Sequence, residues 1–190
     1  NVQGAILNNS PVSVSYSGLL TLGAASTIET DYGDINFTAS GTITGTYAFT
    51  LRGAGNGSLS SIVGTSTGTI VKNDLGTWTL SGNSTYTGVT TITLGVLKLG
   101  GTGSGTDTPL GRIAGGTTIA STAMLDLNGN TLVTAEPLTS VSGVGIANKG
   151  AITTSSASST SYSGAIPLAA ASRLTNYGSG TFSFSGALAG

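Results

Sequence analysis

The chain of 190 residues contains no cysteine and no histidine. Disulfides and thiolate metal sites are excluded, and so are Ser-His-Asp, Cys-His and His-ligated zinc chemistries, which need those side chains as base, nucleophile or ligand. Charge is nearly as scarce: 7% of residues are Asp, Glu, Lys or Arg, and the formal net charge is −1. The six cations (Arg52, Lys72, Lys98, Arg112, Lys149, Arg173) are scattered, so no basic stripe exists to neutralise a phosphate backbone. Nucleic acid is not an expected partner. No apolar run approaches the roughly 18 residues of a membrane-spanning helix. The chain opens at Asn1 with neither Met nor a basic-then-apolar leader, as expected of a mature or excised segment.

What is present is Gly, Ser, Thr and Asn around short apolar runs. There are 31 glycines, and 38% of residues are hydrophobic. Strand-length runs lie at 17–22, 35–38, 47–52, 69–72, 77–80, 89–93, 96–99, 117–119, 125–127, 131–133 and 182–184. Between them stand residues that tolerate sharp corners, as at Ser81-Gly82-Asn83 and Asn128-Gly129-Asn130. No stretch carries a sustained helical period with caps. Strands this short cannot bury a face alone, and two-residue hairpin signals are few. Stacked coils solve both problems, because each rung pairs with the rungs above and below while aliphatic side chains share one narrow core. The expected fold is all-β, a right-handed parallel β-helix (β-solenoid) with roughly 20 to 25 residues per coil and eight or nine rungs.

A long internal repeat supports this reading. Gly4-Ala5-Ile6 matches Gly150-Ala151-Ile152, Ser15-Tyr16-Ser17-Gly18 matches Ser161-Tyr162-Ser163-Gly164, and Ala24-Ala25-Ser26 matches Ala170-Ala171-Ser172, at an offset of about 146 residues. After one deletion, Tyr32-Gly33 meets Tyr177-Gly178 and Phe37 meets Phe182. The expected organisation is a first long unit at 1–145 and the start of a second copy at 146–190. Neither end reads as a polar cap, so the segment is expected to lie within a continuous fibre whose partner is itself, by covalent continuation or end-to-end stacking.

From Lys72 the chain reads Lys72-Asn73-Asp74-Leu75-Gly76-Thr77-Trp78-Thr79-Leu80-Ser81-Gly82, then Tyr86-Thr87-Gly88, then Gly95-Val96-Leu97-Lys98-Leu99-Gly100. Residues 72–100 closely resemble the autotransporter-associated β-strand repeat, with Trp78 in place of the usual Leu and Val89 in place of the usual Gly. The continuation at Pro109-Leu110-Gly111 and at 124–130 is similar to the next rung of that family. The resemblance implies a passenger region of a large exported protein at the Gram-negative cell surface, a structural or adhesive module of an extracellular fibre, adhesin or biofilm matrix. It implies no catalytic residue and no cofactor, and as further partners host or matrix glycans or neighbouring cells.

Against that stands a β-helix polysaccharide-active enzyme or a carbohydrate-binding module. An enzyme would need acids converging on one groove, and Glu29, Asp31 and Asp34 beside Arg52 are the nearest candidates. They are not conserved between the two copies, and a solvated corner explains them as well. Asp126-Leu127-Asn128-Gly129-Asn130 has the flavour of a calcium loop but lacks its glycine and bidentate Glu, so an Asn-Gly turn is expected. Residues 100–107 are expected to be a flexible loop between rungs. For glycan stacking the candidates are Trp78, Tyr16, Tyr86 and Tyr162; the alternative for the tyrosines, each preceding a Ser-Gly or Thr-Gly corner, is an internal stacking ladder.

Overall fold

A computed structural model describes residues 4–190. The chain winds as a parallel β-solenoid. The first turn holds β1 (Ile6–Asn8) and β2 (Val14–Tyr16); the second β3 (Ser26–Thr30), β4 (Ile35–Phe37) and β5 (Thr42–Thr44); the third β6 (Phe49–Arg52), β7 (Gly57–Leu59) and β8 (Ile62–Gly64). The fourth holds β9 (Ile70–Lys72) and β10 (Thr77–Leu80), and the fifth β11 (Thr90–Ile92) and β12 (Gly95–Leu99). A hairpin of β13 (Asp107–Thr108) and β14 (Gly111–Arg112) precedes the sixth turn, which holds β15 (Thr117–Ile119) and β16 (Ala123–Asp126). The seventh holds β17 (Leu138–Gly143), β18 (Ile152–Thr154) and β19 (Thr160–Tyr162); the eighth β20 (Ile166–Ser172), β21 (Leu174–Asn176) and β22 (Phe182–Phe184); β23 (Leu188–Ala189) begins a ninth.

Three faces result. On the first, nine strands stack in the order β1-β3-β6-β9-β11-β15-β17-β20-β23, and on the second eight stack as β2-β4-β7-β10-β12-β16-β18-β21. The third face is shorter, with β5 on β8 and β19 on β22. Among the described residues helix is limited to one 3₁₀ turn, Ile146–Asn148. Among the described residues no helix is long and apolar enough to cross a membrane.

Strand alternation sends every second side chain inward, and in-register stacking turns those positions into columns. On the first face one column runs Ile6, Ile28, Leu51, Lys72, Ile92, Ile119 and Val141. On the second, Ile35, Gly57, Trp78, Leu97, Leu125 and Ile152 form one column, and Phe37, Leu59, Leu80 and Leu99 another. Apart from Lys72 and Gly57, these residues join a single hydrophobic cluster along the body, with Ile6 packed against it partly buried.

Two expectations of local structure differ from the outcome. Residues 17–22 and 131–133 form no strand beyond a bridge from Thr21 to Thr44. Residues 100–107 lead into the antiparallel hairpin, whose strands are held by an Arg112–Asp107 ion pair of 2.9 Å. The hairpin stays joined to the body: Thr108 and Leu110 are buried, the Ser84 amide donates to the Thr108 carbonyl at 3.0 Å and the Arg112 amide to the Tyr86 carbonyl at 2.8 Å.

Candidate functional site

Of the acids singled out above, Glu29 and Asp31 both lie within electrostatic reach of Arg52, whereas Asp34 is held separately. Glu29 lies on the outer side of the first face, where it takes the Arg52 guanidinium at 2.8 Å and the Gly4 amide at 2.9 Å. That hydrogen bond from Arg52 holds its carboxyl below the ordinary carboxylate range. Asp34 sits round the corner before β4 and accepts the Asn56 amide at 3.1 Å. Asp31 lines a different hollow with Asp74, Gly53, Ala54, Leu75 and Leu94. Among the described residues no three His, Cys, Asp or Glu side chains come together as a metal-holding group. At 126–130 an Asn-Gly turn forms, with Asn128 and Gly129 at positive φ and the Asn128 and Asn130 amides donating to the Leu99 carbonyl.

Three of the four candidate aromatics are buried, and the fourth, Tyr16, is exposed. Trp78 is fully buried in the second-face column, directly over Gly57; a Cβ at Gly57 would strike the indole ring. Its Nε1 donates to the Arg52 carbonyl at 3.4 Å. Tyr86 is also fully buried, and its hydroxyl meets Thr90 Oγ1 at 2.6 Å. Tyr162 is buried as well and donates to the Glu136 carbonyl. These three rings present no stacking face to a sugar. Tyr16 is 45% exposed, yet it occupies the inward column with Phe37 and packs edge-on against that ring at 5.6 Å. The tyrosines do not stack on one another as a ladder. The glycine two residues on leaves room for the ring at Tyr16 and Tyr162, whose hydroxyls crowd Gly18 and Gly164, while Gly111 does so for Tyr86.

More exposed rings lie elsewhere. Tyr32 and Tyr177, in the matched Tyr-Gly pairs, are 73% and 58% exposed. Tyr177 borders a groove of about 260 Å³ on the second face, with Val96 and Met124 among its apolar and Lys98, Asp126 and Lys149 among its charged residues. Lys149 Nζ lies 4.2 Å from the Tyr177 ring centre. Asp126 is fixed by the Ser155 amide and hydroxyl at 3.0 and 2.6 Å, and Lys98 approaches it at 3.7 Å.

Two buried charged groups went unrecognised in the sequence. Lys72 occupies an inward position between Leu51 and Ile92, and its Nζ turns to the corner to donate to the carbonyls of Asn73, Asp74 and Leu94 at 2.7, 2.7 and 3.0 Å. Burial lowers its pKa to about 8. Glu136 is fully buried, accepts Thr108 and Thr117 hydroxyls at 3.0 Å each, and is raised by burial to about 7. The period-2 pattern at 70–72 places Lys72 inward and was the available signal; Glu136 lies in an irregular stretch and had none.

The three-faced stack of parallel ladders defines a β-solenoid, and its central rungs show what the repeat motif builds. β10 and β12 pair with Trp78 on Leu97 and Leu80 on Leu99, while Lys72 clamps the adjoining corner. Residues 70–99 match the family described as Passenger-associated-transport-repeat, so these rungs are an autotransporter passenger repeat. The chain is similar to the Adhesin BmaC autotransporter of Brucella suis biovar 1 (strain 1330), at 54% identity over 41 residues, covering 22% of this chain and 1% of that adhesin. No solved structure matches the chain. A passenger repeat of this kind places the segment at the extracellular or outer-membrane surface.

Proposed function

We propose that this segment is a non-catalytic module of a long extracellular fibre or adhesin, whose rungs extend the body and carry an adhesive surface. The observation that carries the reading is the continuity of the parallel ladders, from β1 to β23 on the first face and from β2 to β21 on the second. Glu29 is neutralised by Arg52 and Asp34 is bound to backbone, so both serve the scaffold. The adhesin relative supports the same reading. Its further partners are host or matrix glycans, a choice favoured by the groove beside Tyr177, where an aromatic edge stands with Lys98, Asp126 and Lys149.

The test is incubation of the chain with polyuronates and neutral glycans, reading both retention and product. Retention without turnover, weakened in Tyr177→Ala, is the expected result. Turnover that disappears in Asp31→Asn or Asp34→Asn with the fold intact overturns the non-catalytic reading.

A further inference from the structure

The two copies of the long repeat do not lie on the same side of the solenoid. Ile6–Asn8 is the first strand of the first face; its counterpart Ile152–Thr154 is the seventh strand of the second. β2 on the second face corresponds to β19 on the third, β3 on the first to β21 on the second, and β4 on the second to β22 on the third. Every element has moved on by one face in the same sense.

The neighbours move with it. Ile6, Leu7 and Asn8 pair with Ile28, Glu29 and Thr30, and their counterparts Ile152, Thr153 and Thr154 pair with Leu174, Thr175 and Asn176. Tyr16 pairs with Phe37 as Tyr162 pairs with Phe184, so the register puts Phe184, not Phe182, in the place of Phe37. Thr21 bridges Thr44 as Pro167 pairs with Ala189. Pairing is thus preserved within each copy while the face changes.

The geometry points to a repeat that advances the solenoid by six turns and one face, so that successive copies present equivalent surfaces about a third of a turn apart and regain the same side only at every third copy. The six turns are the step from first to seventh strand. At the usual spacing of about 4.8 Å per rung, one copy advances about 30 Å and three copies about 90 Å. The exposed Tyr-Gly corner shows the effect: Tyr32 stands between the first and second faces and Tyr177 between the second and third. A fibre of such copies displays this corner along three edges in turn. An elongated partner lying against one edge meets every third copy, whereas small partners bind from any side. The extension to a fibre rests on the proposal that the unit recurs along the parent protein.

The chain has no native cysteine, which makes cross-linking unambiguous. Lys98 Nζ reaches Ser155 Oγ at 3.2 Å across the second face, where Lys98 is half-buried and Ser155 exposed. In Lys98→Cys with Ser155→Cys the Asp126 carboxylate loses the lysine and the hydroxyl but keeps the Ser155 and Asn128 amides, so an unchanged circular dichroism spectrum is the first requirement of the test. A short bismaleimide is expected to join this pair in high yield and Ser142→Cys with Ser155→Cys, which joins the first face to the second, poorly. The reverse preference overturns the one-face step. In the parent protein, gold-labelled cysteine at the Tyr32 position of each copy should appear in electron micrographs on three edges, advancing about 30 Å and recurring on one edge about every 90 Å. Labels along a single edge overturn the step. Cross-links as expected together with a parent protein lacking further copies overturn the continuous-fibre reading and leave the step between these two copies established.

Discussion

Trp78 and Gly57 illustrate how single residues fit the columns. The passenger motif usually has Leu where Trp78 stands, and the larger ring is accommodated because its partner one rung earlier has no side chain. Trp78→Ala is expected to cost about 3–5 kcal/mol, by loss of burial and an unfilled cavity. Gly57→Ala is expected to cost about 1–3 kcal/mol through the collision with the ring, and combining it with Trp78→Leu should recover most of that loss. Urea denaturation measures all three. The two buried ionisable groups make stability depend on pH in opposite senses. Between its ordinary value of 4.5 and about 7, folded Glu136 retains a proton that the unfolded chain releases, so stability falls as pH rises through this window, by at most about 3 kcal/mol. Between about 8 and its ordinary 10.5, unfolded Lys72 binds the proton that the folded state has lost, so stability rises with pH. Above about 10 the buried Tyr86 and Tyr162, whose pKa values burial raises, oppose that gain. Melting temperatures across pH should therefore pass through a minimum near 7–8; Glu136→Gln should flatten the acid limb and Lys72→Met the alkaline one.

At the scale of the strand, inward and outward positions carry very different weight. Leu97 stacks between Trp78 and Leu125 with no exposure, whereas Thr91 lies on the outer side of β11. Leu97→Asp places an unpaired carboxylate in the column and is expected to cost more than about 4 kcal/mol, or to unfold the neighbouring rungs. Thr91→Ala should stay within about 0.5 kcal/mol. Equal shifts in thermal melts would show that the assignment of sides is wrong. The strands legible in the sequence were those with large apolar residues at every second position, such as β10 and β12. β7 (Gly-Ser-Leu) and β18 (Ile-Thr-Thr) were not, because their pairing comes from the rungs on either side and their own composition is that of a loop. The aromatic sites failed for a related reason. A Tyr beside a glycine corner reads equally as an exposed platform or as a ring folded into the space the glycine vacates, and only the register decides between them.

For the whole molecule, stability is close to a sum of rungs and of contacts between neighbouring rungs, since the strand ladders pair each turn with the turns beside it, and a longer reach such as that of Lys98 to Ser155 two turns on is a surface side-chain contact. This gives a test that treats the turn as the unit. Ile28 and Leu51 are partners one turn apart in the inward column of the first face. Deleting residues 28–50 joins Thr27 to Leu51, brings Ile6 beside Leu51 and Val14 beside Gly57, and leaves every remaining strand on its own face. The shortened chain is expected to fold with a β-type circular dichroism spectrum, and its maximum dimension in solution scattering should fall by about one rung, roughly 4.8 Å. Deleting only residues 28–38 removes about half a turn. The following strands then arrive on the wrong face, the inward columns meet outward threonines, and the rungs before and after the cut lose their pairing. That chain should melt at a lower temperature than the one lacking twice as many residues. Were the molecule a globular domain with contacts running across many turns, the larger deletion would be the more damaging, so the order of the two melting temperatures decides whether the turn is the unit of stability.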